Sequence, residues 1–115
     1  MSYSIIEDID DKRKILIGQN RTENEKLCEE ARKILQHGTS VLWFHLADTS
    51  SPHGFIIGDN PSKENIYRAA VLVKKYSKSK KLTNVKVNYI SIEHVQKTDT
   101  PGMVNLTKKP TNINV

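Results

Sequence analysis

A single cysteine, Cys28, excludes an internal disulfide and cannot by itself build a thiolate metal cage. It reads as a small buried hydrophobe in a reducing compartment. No apolar run approaches the ~20 residues that span a bilayer, and Met1-Ser2-Tyr3-Ser4 followed by acids has neither the basic nor the apolar part of a signal peptide. The expectation is a soluble cytoplasmic chain with no membrane contact. Internal repeats, low-complexity tracts and Pro/Gly/Ser linkers are also missing, so nothing divides the 115 residues into two cored units. Residues 1–115 read as one domain.

The composition, 37% hydrophobic and 27% charged, is that of a chain able to fold. The net charge of +5 hides an asymmetry. Residues 1–60 carry seven Lys/Arg against ten Asp/Glu, whereas residues 61–115 carry eleven against three. A basic half of this kind favours a polyanionic partner, nucleic acid before membrane, over a merely solvated surface.

Short elements alternate along the chain and predict an α+β fold, two helices on a mainly antiparallel sheet. Lys14–Ile17 is a strand, with Ile5-Ile6 as its hairpin partner. Thr22-Glu23-Asn24-Glu25 has the pattern of a capping box, and Leu27, Cys28, Ala31, Ile34 and Leu35 then share one helical face up to a glycine stop at Gly38. Val41–Leu46 is apolar on both parities, as a strand covered on both faces must be. His53–Gly58 follows as its antiparallel neighbour. Asn60-Pro61 predicts the start of a second helix running to about Lys80, with Ile66, Ala69, Ala70, Val73 and Tyr76 inward. Val85, Val87 and Tyr89 share one face of the next strand, and residues 103–106 and 112–115 predict a closing hairpin tipped by Lys108-Lys109-Pro110.

Four constellations carry candidate chemistry. The second helix bears a basic ridge, Lys74, Lys78 and Lys81 at helical spacing with Lys75 and Arg68 beside them, and Glu64 is its only acid. Such a row can follow a phosphate backbone and release counterions, and Lys108 and Lys109 would extend it. The Gly18–Asn24 segment leads a strand into a helix N-terminus, where Arg21 and unpaired N–H groups suit an anion; alternatively Asn20 and Asn24 tie the turn to the strands. Trp43 and His45 share one face of their strand, as a base-stacking platform or as core. His45, Asp48 and His53 lack a defined ligand spacing, a nucleophile and a second base, so they favour a loop-pinning network over a metal or catalytic site. No cofactor is expected.

These segments together resemble the NFACT-R domain family, formerly a domain of unknown function. The similarity rests on Ile17-Gly18-Gln19-Asn20-Arg21-Thr22-Glu23-Asn24, Leu42-Trp43-Phe44-His45, His53, Ala69-Ala70, Tyr76-Ser77-Lys78, Val85-x-Val87-x-Tyr89 and Pro101-Gly102-Met103-Val104. It runs from about Lys14 to Val115 and leaves 1–12 as a poorly matched N-terminal extension. Gln19 stands where the motif usually has arginine, and Ser51-Pro52-His53 stands for Gly-Ser-His. The form resembled is the short, standalone eukaryotic one. The resemblance implies a noncatalytic RNA-binding module associated with ribosomal RNA or tRNA and the ribosome, in translation and ribosome quality control. The alternative is a protein-interaction adaptor that meets ribosome-associated proteins without touching RNA.

Overall fold

A computed structural model describes residues 5–115. The elements are β1 (Ile5–Asp8), β2 (Lys14–Gly18), α1 (Arg21–Gln36), β3 (Val41–Leu46), β4 (His53–Ile57), α2 (Lys63–Lys75), β5 (Lys86–Ser91), a 3-10 turn (Ile92–His94), β6 (Val95–Lys97), β7 (Val104–Leu106) and β8 (Thr111–Asn114). Six strands form one antiparallel sheet in the order β1-β2-β4-β3-β5-β8, and β6 and β7 pair separately. The fold is α+β, as the alternation of elements predicts.

Strand alternation divides the sheet into two apolar faces, each closed by one helix. Leu16, Val41, Trp43, Phe55 and Ile90 pack with Leu27, Cys28 and Ala31 of α1. Ile15, Ile17, Phe44, Leu46, Ile56 and Val87 pack with Ala69, Ala70, Leu72 and Val73 of α2. β3 lies between β4 and β5 with core on both sides, which is why both of its parities are apolar. The β1–β2 hairpin forms in register Ile6↔Leu16, and α1 stops before Gly38 at φ 95°.

Four local expectations are corrected. α1 is capped by Asn20, two residues before Thr22: Asn20 Oδ1 accepts from Glu23 N at 2.9 Å, while the Glu23 carboxylate accepts from Gln19 N and Asn20 Nδ2. Asparagine at N-cap with glutamate at N3 satisfies more orphan donors than a cap at Thr22 would. Likewise the cap of α2 is Ser62, locked reciprocally with Asn65, and Asn60 is a left-handed turn residue at φ 50°.

α2 also ends at Lys75 rather than near Lys80. The Ser77 hydroxyl donates to Lys74 O at 2.7 Å and accepts from Ser79 N, which turns the chain out of the helix. No apolar residue lies between Tyr76 and Leu82, itself 59% exposed, so nothing would hold a further helical turn against the core. Lys78 and Lys81 therefore stand in turns beyond the helix and do not continue a ridge on it.

The closing hairpin is also absent among the described residues. β7 pairs with β6 and β8 with β5. Val104 and Leu106 pack on the α1 side of the sheet, while Ile113 and Val115 pack on the α2 side. Each segment is thus held by a strand other than its neighbour in sequence.

Candidate nucleic-acid interface

The chain leaves β2 and β3 at one end of the sheet, and the returning loops leave a cleft of about 780 Å³ there. Asn20, Arg21 and Asn24 line it from the β2–α1 junction, His45 and Asn88 from β3 and β5, and Lys78 from the turn after α2. Residues 49–53 and 100–104 complete the rim.

The β2–α1 junction is shaped by a close approach at Gly18. A Cβ there would lie 2.6 Å from Asn24 Oδ1 and 2.9 Å from Leu27 Cδ1. The same Asn24 oxygen accepts from the backbone N–H of His53 at 3.2 Å and joins α1 to β4. Asn20 and Asn24 are thus structural ties. Of the two readings of this helix start the geometry supports the structural tie: Asn20 Oδ1 accepts from the Glu23 N–H, and the Glu23 carboxylate puts negative charge where an anion would sit. Arg21 remains exposed on the cleft wall, its backbone packed on Gly102, where a Cβ would approach the Arg21 Cα to 3.2 Å.

The aromatic residues form a layered support. Trp43 is 3% exposed, and its Nε1–H donates to His53 Nδ1 at 3.1 Å. It supports the cleft from beneath, so of the two readings of Trp43, platform or core, its burial fits core. His45 stacks on it at 5.6 Å with the ring planes 7° apart, and His53 meets both rings edge-on. His53 is 2% exposed. Burial, reinforced by nearby His45, pushes its pKa down to about 3, against a hydrogen bond with the Gly102 backbone that opposes the shift. Burial also lowers the pKa of His45, whose Nδ1 lies 2.6 Å from the Leu46 carbonyl. Both imidazoles are therefore neutral at physiological pH. Asp48 is exposed and does not line the cleft, and no three of His, Cys, Asp and Glu among the described residues are placed to hold a metal. The histidines pin the β3–β4 connection.

The cations of α2 part company. Arg68 makes a two-pronged contact with Glu7 of β1 at 2.7 and 2.8 Å, which lowers the Glu7 pKa. Lys74 donates to the Val115 carbonyl at 3.1 Å, and Lys75 lies 5.5 Å from the Tyr76 ring centre. Lys78 faces the cleft, whereas Lys81 lies three residues further on in the turns. Lys108 and Lys109 are exposed in the β7–β8 connection, outside the cleft lining. β8 runs from Thr111 opposite Tyr89 to Asn114 opposite Lys86, so these two lysines precede one end of β8 while Lys74 is bonded at the other.

Asn88 is the cleft residue that the sequence reading passed over. It pairs in register with His45 on the face away from Val87, and its Oδ1 accepts from Asn112 Nδ2 at 2.9 Å. The available signal was an asparagine, disfavoured in strands, between Val87 and Tyr89.

A family model described as the NFACT protein RNA binding domain matches residues 3–108. The chain is 30% identical over 99 residues to the Rqc2 homolog RqcH of Bacillus subtilis, covering 84% of this chain and 16% of that protein. Among solved structures, the C-terminal part of the fibronectin/fibrinogen-binding protein of Streptococcus suis superimposes with a TM-score of 0.81 at 29% identity, covering 98% of this chain and 45% of that one. The family match spans nearly the whole chain and takes in every residue that lines the cleft, and the chain belongs to the NFACT protein RNA binding domain family.

Proposed function

We propose that this domain is a noncatalytic RNA-binding module that contacts ribosomal RNA or tRNA on the cytoplasmic ribosome and serves translation or ribosome quality control. The observation that carries the reading is the cleft, where residues from five separate segments converge with Arg21 on one wall and Lys78 on another. The family description supports RNA as the partner, and the similarity to the Rqc2 homolog RqcH supports ribosome quality control. Lys75, Lys81, Lys108 and Lys109 serve as outlying phosphate contacts around the cleft.

Co-sedimentation with ribosomes across a salt series tests this. The domain should travel with large subunits or tRNA and be lost steeply as salt rises, because phosphate contacts release counterions. Arg21→Glu with Lys78→Glu should abolish retention at moderate salt while leaving the circular dichroism spectrum unchanged. Retention that ignores both salt and the double substitution would sink the RNA reading and favour a protein partner.

A further inference from the structure

We infer that the cleft receives an unpaired nucleotide, whose Watson–Crick edge is read by His45 Nε2 as acceptor and the Asn88 side-chain amide as donor. This rests on the RNA-binding reading and goes beyond it by naming the state of the RNA.

The two groups have defined hydrogen-bonding characters. His45 Nδ1 is directed at the Leu46 carbonyl, so it carries the ring proton and leaves Nε2 a bare acceptor. No bond to Nε2 occurs among the hydrogen bonds of the described residues, and the half-buried ring lines the cleft. Asn88 Oδ1 is taken by Asn112, which directs the remaining capacity of Asn88 to its NH₂ group. His45 and Asn88 are direct cross-strand partners, and β-strand alternation puts both on the α1 face of the sheet.

An acceptor beside a donor complements every nucleobase. Adenine, guanine, cytosine and uracil each present one donor next to one acceptor on the Watson–Crick edge. In a duplex these atoms are consumed by the opposite strand, so only a looped, bulged or terminal base offers them. The cleft volume of about 780 Å³ lies within the roughly 300–1,000 Å³ typical of ligand sites. Arg21 and Lys78 on its walls suit the flanking phosphates. Burial keeps both histidines uncharged, so the floor reads hydrogen bonds and leaves charge recognition to the rim.

Fluorescence anisotropy with two RNAs decides the matter: a blunt-ended, fully paired two-strand duplex, and the same duplex with a three-nucleotide bulge. The bulged RNA should bind at least 10-fold tighter, with little dependence on which base is bulged. His45→Phe, which keeps a ring against Trp43, and Asn88→Ala should each remove most of that preference while paired-RNA binding stays within 2-fold. Equal affinity for the two RNAs, or variants that lower both affinities in parallel, would overturn the inference and leave RNA binding standing. Failure to bind either RNA at low salt would overturn both.

Discussion

Gly18 shows how one absent methyl group organises the cleft. Its missing side chain lets Asn24 reach the His53 amide, and through it α1 is fixed against β4. Gly18→Ala should cost about 1–3 kcal/mol, the usual range for overpacking, read from the urea midpoint with the slope unchanged. Asn24→Ala leaves the buried His53 N–H without a partner and should cost a similar ~1–3 kcal/mol. His53 makes stability depend on pH. Its folded pKa of about 3 lies below the ordinary value of 6.5, so between these limits the unfolded chain binds the proton and the folded chain does not. Stability should therefore fall as pH drops through 6.5 toward 3, by about 2 kcal/mol from pH 7 to pH 5. Urea titrations at the two pH values check this, and His53→Gln should flatten the difference.

At the scale of elements, apolar patterning was read correctly where packing decides and misread where polar side chains decide. The double parity of Val41–Leu46 marks a central strand because both sheet faces are covered, and β3 is that strand. The end of α2 was only partly legible: the lack of an apolar residue from Ser77 to Lys81 is a signal in the sequence, but the Ser77 hydroxyl bond to Lys74 O that turns the chain away is seen only in the structure. The ridge of cations inherited that error, and the Arg68–Glu7 pair, 61 residues apart, has no local sequence signature. Of the cleft, Asn20, Arg21, Asn24, Trp43, His45 and His53 were each singled out but in separate groups; that they line one cleft, and which are supports and which face solvent, depends on long-range contacts. The consequence is a contrast between two cations. Lys78→Glu should weaken RNA binding by about 10-fold, whereas Arg68→Ala, whose charge Glu7 already balances, should change it less than 2-fold; anisotropy titrations of both variants at one salt concentration compare them.

Over the whole molecule, the sheet is a wall with one helix on each face, and the cleft opens where its loops meet at one end. The fold holds Asn20, Arg21, Asn24, His45 and Asn88 on strands and on a capped helix end, while Lys78 and the rim lie in turns and loops. The acid-rich first half and basic second half do not segregate into two lobes, because β1 and α2 are joined through Glu7 and Arg68. On the proposed function, a polyanion would therefore be oriented by the local charges of the cleft and the turn beyond α2. The chain spans about one sixth of RqcH and under half of the streptococcal structure it resembles, and the cleft is formed wholly within the matched segment.

The most direct test of the cleft as the RNA site is ultraviolet crosslinking of the domain to ribosomal RNA and tRNA, followed by mass spectrometry of the crosslinked peptides. Crosslinks should concentrate on residues 43–53, 76–81 and 86–91, and fall sharply in the Arg21→Glu/Lys78→Glu variant. Crosslinks confined to the outer face of α1 or to Lys108 and Lys109, and unchanged in that variant, would contradict it.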